Sequence, residues 1–165
     1  MMLSEKILTL LNDQVNHEHY SSYLYLSMAA YFEAKNLPGF ANWMKVQSEE
    51  EYEHGMKFYE FILDRGGVVT LQAIPAPQVE WANPADLFDH VLQHEQKVTS
   101  LINTIYAQAL KENDYPTQVM LHWFINEQVE EEKNAQQIVD TLDMIGDAPQ
   151  GLMMLDRALG ARAAD

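Results

Sequence analysis

Prolines and glycines gather at a few points in this chain and leave long stretches whose apolar residues recur every three to four positions. Such spacing gives each stretch one apolar stripe, and helices of this kind must bury their stripes against one another. The first stretch, Ser4 to about Phe32, contains neither glycine nor proline. Asn36-Leu37-Pro38-Gly39 ends it and opens a second, which runs to Arg65 and stops at Gly66-Gly67. Asn83-Pro84-Ala85-Asp86 combines a capping Asn, a proline suited to the first helical position and an acid in the first turn. The expected helices span about 4–32, 38–65, 84–112, 115–145 and 151–159, in one domain covering 1–165. No strand pattern and no repeat interrupts this reading.

Connection lengths then select a topology. The links after the first and third helices are a few residues each, which makes those pairs antiparallel hairpins. The link from Gly66 to Asn83 is 18 residues. Extended, it spans roughly 60 Å, whereas the second helix is only about 40 Å long. It can run the length of a bundle and leave the second and third helices parallel. An all-α four-helix bundle with one long crossover loop and a short fifth helix follows; cytokine-type bundles need two crossovers.

The apolar stripes are interrupted at matching places. Helix one gives Leu8, Leu11, Val15, Glu18, Ser22, Tyr25, Ala29 and Phe32; helix two gives Phe40, Met44, Gln47, Glu51, His54, Phe58 and Phe61. Helix three gives Phe88, Val91, Glu95, Val98, Ile102, Ile105 and Ala109. Helix four gives Leu121, Phe124, Gln128, Glu131, Ala135, Ile138, Leu142 and Ile145. Each carries an acid near its midpoint, so Glu18, Glu51, His54, Glu95, Gln128 and Glu131 meet at one level whichever way a helix runs. Ionised carboxylates out of water cost several kcal/mol each unless protonated or paired. A pair of divalent cations resolves this, since carboxylates and one imidazole suit iron or manganese. Glu51 and His54, three residues apart, project from one turn, and Glu51 is the natural bridge between two metals.

Around this seam lie further candidates. Glu50, Glu127 and Glu130 adjoin it and could form a third, more solvated cation site that shares Glu131; the other reading is an exposed acidic face like Glu49 and Glu132. Tyr25, two turns from Glu18, is a catalytic candidate that could hydrogen-bond a ligand or give up an electron, the other reading being core packing; Trp123 reads as packing. His90 and His94 have metal spacing but sit beside the stripe and read as a solvated pair, while His17, His19 and His122 read as non-ligands.

Composition agrees with a protein that collects cations. Of 165 residues, 25 are acids and 10 are Lys or Arg, a net charge of −15, which disfavours nucleic acid and anionic membrane as partners. Without cysteine there is no disulfide, thiolate nucleophile, iron–sulfur cluster or cysteine zinc site. The N-terminal apolar stretch meets Glu5 and does not read as a signal peptide. No apolar run approaches membrane-spanning length, and a cytoplasmic location is expected.

These positions resemble the non-haem bacterial ferritins over almost the whole chain. The matching stretches are NHEHYSSYLY around Glu18, SEEEYEH around Glu51 and His54, HEQ at Glu95 and NEQVEEEK around Gln128. The resemblance implies a ferritin-like bundle whose first iron site is Glu18, Glu51 and His54. It implies a second of Glu51, Glu95 and Glu131 with Gln128 nearby, and a third of Glu50, Glu127, Glu130 and Glu131. It further implies a homo-oligomeric shell of 24 subunits that oxidises Fe(II) with O2 or H2O2 and stores ferric mineral, with the fifth helix lining a four-fold axis. Tyr25 and Trp123 match aromatic residues beside the family's site. Bacterioferritins carry a second Glu-x-x-His where Gln128 and Glu131 stand, and a haem-ligating Met where Tyr52 stands, so no haem is expected. Rubrerythrins need cysteine, and mini-ferritins build their site between subunits. Asn42, Lys45 and Val46 dilute the family's acidic mineral-nucleating patch. Two other classes stay open on the residues alone: a di-metal oxidoreductase of manganese catalase or oxygenase type, and a helical interaction module with solvated acids.

Overall fold

A computed structural model describes residues 2–163. Five helices follow one another: α1 (Glu5–Ala34), α2 (Pro38–Asp64), α3 (Pro84–Glu112), α4 (Tyr115–Ile145) and α5 (Pro149–Leu159). Their ends are chemically marked. The Ser4 hydroxyl accepts from the Ile7 amide at 3.1 Å, and the Asn83 side chain accepts from the Asp86 amide at 2.9 Å. Asp114 caps α4 and is held in turn by Arg65 at 2.9 Å. Asn36 and Asn113 adopt left-handed backbone after α1 and α3, with φ of 57° and 55°, the conformation that reverses a chain after a helix and that Asn tolerates.

α1 packs on α2 and α3 on α4, with α1 also lying along α3. The crossover segment climbs the outside of α1. Val68 and Thr70 bond Asn12, Gln72 bonds Asp13, Gln78 bonds Ser27, and Trp81 stacks edge-on against Tyr31. Those contacts carry the chain from the start of α1 to its end, so α3 begins at the end of the bundle where α2 began. The two helices are parallel, which makes the molecule an all-α bundle with a single long crossover.

A polar layer divides the core into two apolar clusters. One packs Leu24, Met28 and Phe32 of α1 with Phe40, Met44, Phe88, Val91 and Leu142. The other packs Ile7, Leu11 and Val15 with Phe58, Ile62, Ile102, Leu121 and Phe124. Between them lie Glu18, Glu51, Glu95, Gln128 and Glu131, all buried. The seams of α3 and α4 face the core as their spacing indicates, except that Ile145 is only half-buried. Toward the start of α1 and the end of α2 the buried row shifts by one: Ile7 and Ile62 are buried where Leu8 and Phe61 are half-buried. A strict three-four stripe has a period of 3.5 residues, and a straight helix of 3.6 drifts away from it over many turns.

α5 folds back onto the start of α2 and the end of α4. No side chain of α2's own N-terminus caps it; instead Asp156 of α5 accepts from the Gly39 and Phe40 amides at 2.9 and 3.0 Å. Gly39 is needed for this approach, because a Cβ there would lie 1.6 Å from the Asp156 carbonyl oxygen. Gly39→Ala is therefore expected to cost about 3 kcal/mol and to release α5. Hydrogen exchange at 149–159 will speed up while α1 to α4 keep their protection; unchanged exchange would show that this contact does not hold α5.

Candidate metal centre

Each buried acid reaches the central layer from a different helix. Glu18 comes from α1, Glu51 and His54 from one turn of α2, Glu95 from α3, and Gln128 and Glu131 from α4. Gly55 lets α1 and α2 meet closely here, since a Cβ on it would lie 2.9 Å from the His19 ring and 3.4 Å from the Glu18 Cβ. Among the described residues three ligand groups arise, each with its donor atoms within 4.8 Å of one another: Glu18, Glu51 and His54; Glu51, Glu95 and Glu131; and His54, Glu127 and Glu131. Glu51 belongs to the first two, so its carboxylate stands between two adjacent positions for a cation.

Glutamines hold these acids in place. Gln14 donates to Glu18 Oε1 at 2.7 Å. Gln47 donates to both Glu51 Oε1 and Glu131 Oε2 at 2.9 Å. Gln128 donates to Glu95 Oε2 at 3.1 Å and to the Glu95 carbonyl at 3.2 Å. The Tyr25 hydroxyl donates a short hydrogen bond to Glu95 Oε1. The sequence places Gln47 in the seam and gives neither it nor Gln14 a role. Each stands four residues before a buried Glu, the helical spacing at which an amide can reach a carboxylate.

Among the described residues, one carboxylate oxygen of this layer is left without a donor. Glu18 Oε2 is buried and unpartnered, and a buried carboxylate oxygen in that state needs either a proton or a cation. The donor set of four carboxylates and one imidazole fits divalent iron.

The electrostatics of the layer follow from burial. Desolvation pushes Glu18 well above the usual carboxylate range, and the Glu51 charge adds to it. Desolvation and then Glu51 push Glu95 up to about 8, against the hydrogen bonds from Tyr25 and Gln128. Glu131 is raised by burial and by Glu95 and Glu51. Glu51 is the exception: burial would raise it too, but the hydrogen bond and charge of His54, with help from Glu18 and Gln47, hold it below its ordinary value. His54 is desolvated, which alone would lower it, yet Glu51 and then Glu131 raise it. Glu51 Oε2 lies 3.5 Å from His54 Nδ1, and each of the two favours the charged form of the other. Burial, then Glu95 and Glu51, keeps Tyr25 protonated.

The remaining candidates divide. A cleft of about 290 Å³ opens beside His54 and is lined by Glu50, Glu127, Glu130 and Glu131 among others. Glu127 joins His54 and Glu131, Glu130 is exposed, and Glu50 is engaged by Arg162 at 2.5 Å. Trp123 stands edge-on to the His54 ring at 5.3 Å and carries Lys57 over its face. His90 and His94 are not a solvated pair. His94 Nε2 lies 2.7 Å from Ser21 Oγ and its ring meets Tyr25 edge-on, while Trp81 donates to His90 Nδ1 at 3.0 Å. The crossover strap and the face of α1 cover this side of α3, which its sequence alone does not reveal. Burial lowers His94 to about 4, so it is neutral. His122 bonds Tyr106, and His17 and His19 lie outside the three ligand groups.

Four helices converging on a buried layer of carboxylates and one imidazole define a bundle with donor groups that could hold metal ions, and comparison with known proteins narrows the class. Residues 8–145 match the ferritin-like domain. The chain is 42% identical over 161 residues to a bacterial non-haem ferritin of Bacteroides fragilis, covering 98% of this chain and all of that one. It is 38% identical over 164 residues to a bacterial non-haem ferritin of Staphylococcus aureus, covering 99% of each. Among solved structures it is similar to an open-pore ferritin of the hyperthermophilic archaeon Archaeoglobus fulgidus, at 46% identity and a TM-score of 0.97 over 98% of each chain. The chain belongs to the ferritin family. It is an iron-storage protein and a ferroxidase, it binds iron, and it forms a homo-oligomer; a di-metal enzyme without storage is not favoured. No helix among the described residues is long and apolar enough to cross a membrane.

Proposed function

We propose that the chain, acting as one unit over 1–165, oxidises ferrous iron at paired sites inside its own bundle and delivers the product to a mineral enclosed by 24 copies. The observation that carries this reading is the sharing of Glu51 by two adjacent ligand groups. Glu18, Glu51 and His54 take one ferrous ion; Glu51, Glu95 and Glu131 take the other, with Gln128 beside it. Each ferrous ion gives up one electron. Dioxygen takes both with two protons and leaves as hydrogen peroxide; peroxide in the same role becomes two waters. The chain's part is to hold two cations of like charge together and neutralise them in a pocket closed to bulk water. Glu18, Glu95 and Glu131 lose their protons as iron binds. Tyr25 orients Glu95 through its hydroxyl and stands close enough to the site to supply an electron. Glu50, Glu127, Glu130 and Glu131 form the third, more solvated iron site, through which ferric iron leaves for the interior. No haem enters this reading, and the protein works in the cytoplasm. The exposed side of α5, with Met153 and Met154, meets other copies at the four-fold axis.

Adding ferrous iron anaerobically, admitting oxygen and counting the soluble iron per chain tests this. Retention far beyond three ions is expected, because only a cavity can hold more than the named ligands do. Uptake that halts at site occupancy would leave the paired sites and remove the mineral; no uptake would remove both.

A further inference from the structure

The chain beyond α5 returns along α2 toward the acidic cleft. Asn42 Nδ2 donates to the Arg162 carbonyl oxygen at 2.9 Å and fixes the backbone there. The Arg162 guanidinium lies over the Trp43 ring at 4.5 Å and sends one nitrogen to the Trp43 carbonyl at 3.4 Å. Its other terminal nitrogen is shared between Gln47 Oε1 at 2.9 Å and Glu50 Oε2 at 2.5 Å. Both partners matter. Gln47 is the amide whose nitrogen donates to Glu51 and Glu131, and accepting from Arg162 commits its oxygen side, so the nitrogen must point at the paired sites. Glu50 is one of the acids bordering the cleft.

We propose that Arg162 is a tethered cation that holds Glu50 away from the third iron site and must be displaced before Glu50 can ligate iron there. The inference rests on the reading of that site given above. A guanidinium and a ferrous ion compete for the same carboxylate, and their like charges prevent them from sharing it at close range. Because the competitor belongs to the same chain, its effective concentration at Glu50 is high and independent of protein concentration. The Trp43 face and the Asn42 clamp keep it poised after displacement, so the tail can reclaim Glu50 once the iron has moved on. Arg162 thereby sets how readily iron passes from the paired sites into the cleft.

Equilibrium titration of the assembled protein with Zn²⁺, which cannot be oxidised, tests this without any turnover. Arg162→Ala is expected to tighten the third Zn²⁺ by about five- to ten-fold, the scale of a partly exposed charged pair. Asn42→Ala, which frees the tail without touching the charge, should shift the third ion in the same direction. On a Glu50→Gln background the effect of Arg162→Ala should vanish. Third-site affinity unchanged by Arg162→Ala, or tightened equally with and without Glu50, overturns the role of Arg162 while leaving the third site intact. If neither wild type nor Arg162→Ala binds a third Zn²⁺, the site itself is overturned and Arg162 with it. A third ion that appears only in Arg162→Ala supports both.

Discussion

Glu51→Ala is expected to slow the initial oxidation of ferrous iron by on the order of a hundred-fold or more, while the helices remain folded. Glu51 is the one residue common to the two adjacent ligand groups, so its loss empties part of both. The paired geometry that lets two electrons leave together is lost with it. His54 also loses the partner that raises its affinity for protons. Folding should survive because His54, without Glu51 to raise it, is driven to the neutral form by burial and leaves no unpaired charge in the layer. Stopped-flow oxidation at a few ferrous ions per chain gives the rate, and circular dichroism confirms the helices. A wild-type rate in Glu51→Ala would show that the bridge lies elsewhere. Glu130→Ala is the useful contrast: Glu130 is exposed, and its loss should leave the first fast phase intact and slow only later turnover.

A second expectation concerns pH. Glu95 is raised to about 8 in the folded protein, so between its unfolded value and 8 the folded state holds a proton that the unfolded state has lost. Stability therefore falls as pH rises through that window and reaches its full deficit above it, about 5 kcal/mol from Glu95 alone. Glu18 and Glu131, also raised, act with the same sign. So does His54, whose raised value gives stability that is present below its unfolded value and lost as pH climbs through its folded one. Glu51, lowered, works oppositely and only at acid pH. Metal-free protein should lose thermal stability from about pH 5 to pH 8, and Glu95→Gln should flatten much of the slope. Divalent cation should abolish it, releasing protons on binding; calorimetry in buffers of different ionisation heat counts them. A metal-free protein equally stable at both ends of the range would mean that these acids are not desolvated as the layer requires.

The physical reason for both results also explains what could be read from the chain. An acid inside an apolar helical stripe is costly, and four at the same level leave few ways to lower that cost. Glu18, Glu51, Glu95 and Glu131 were therefore legible as one layer from spacing alone, as was His54 one turn beyond Glu51. Gln14 and Gln47 were not assigned, although both precede a buried Glu by four residues, because a glutamine in a stripe has no single chemistry until its partners are known. His94 read as solvated because nothing in α3 announces that Ser21, Tyr25 and the crossover strap will close over it.

By itself the sequence determined the helices, their antiparallel pairing, the crossover and the level at which the acids meet. These follow from local caps, from connection length and from a periodicity that holds within each helix. Only the tertiary structure decided which cations stand beside that layer. Arg162 reaches Glu50 because α5 docks on α2 through Asp156 and Gly39, a contact between residues 117 positions apart. No local pattern encodes such a distance; it is set by where the last helix comes to rest.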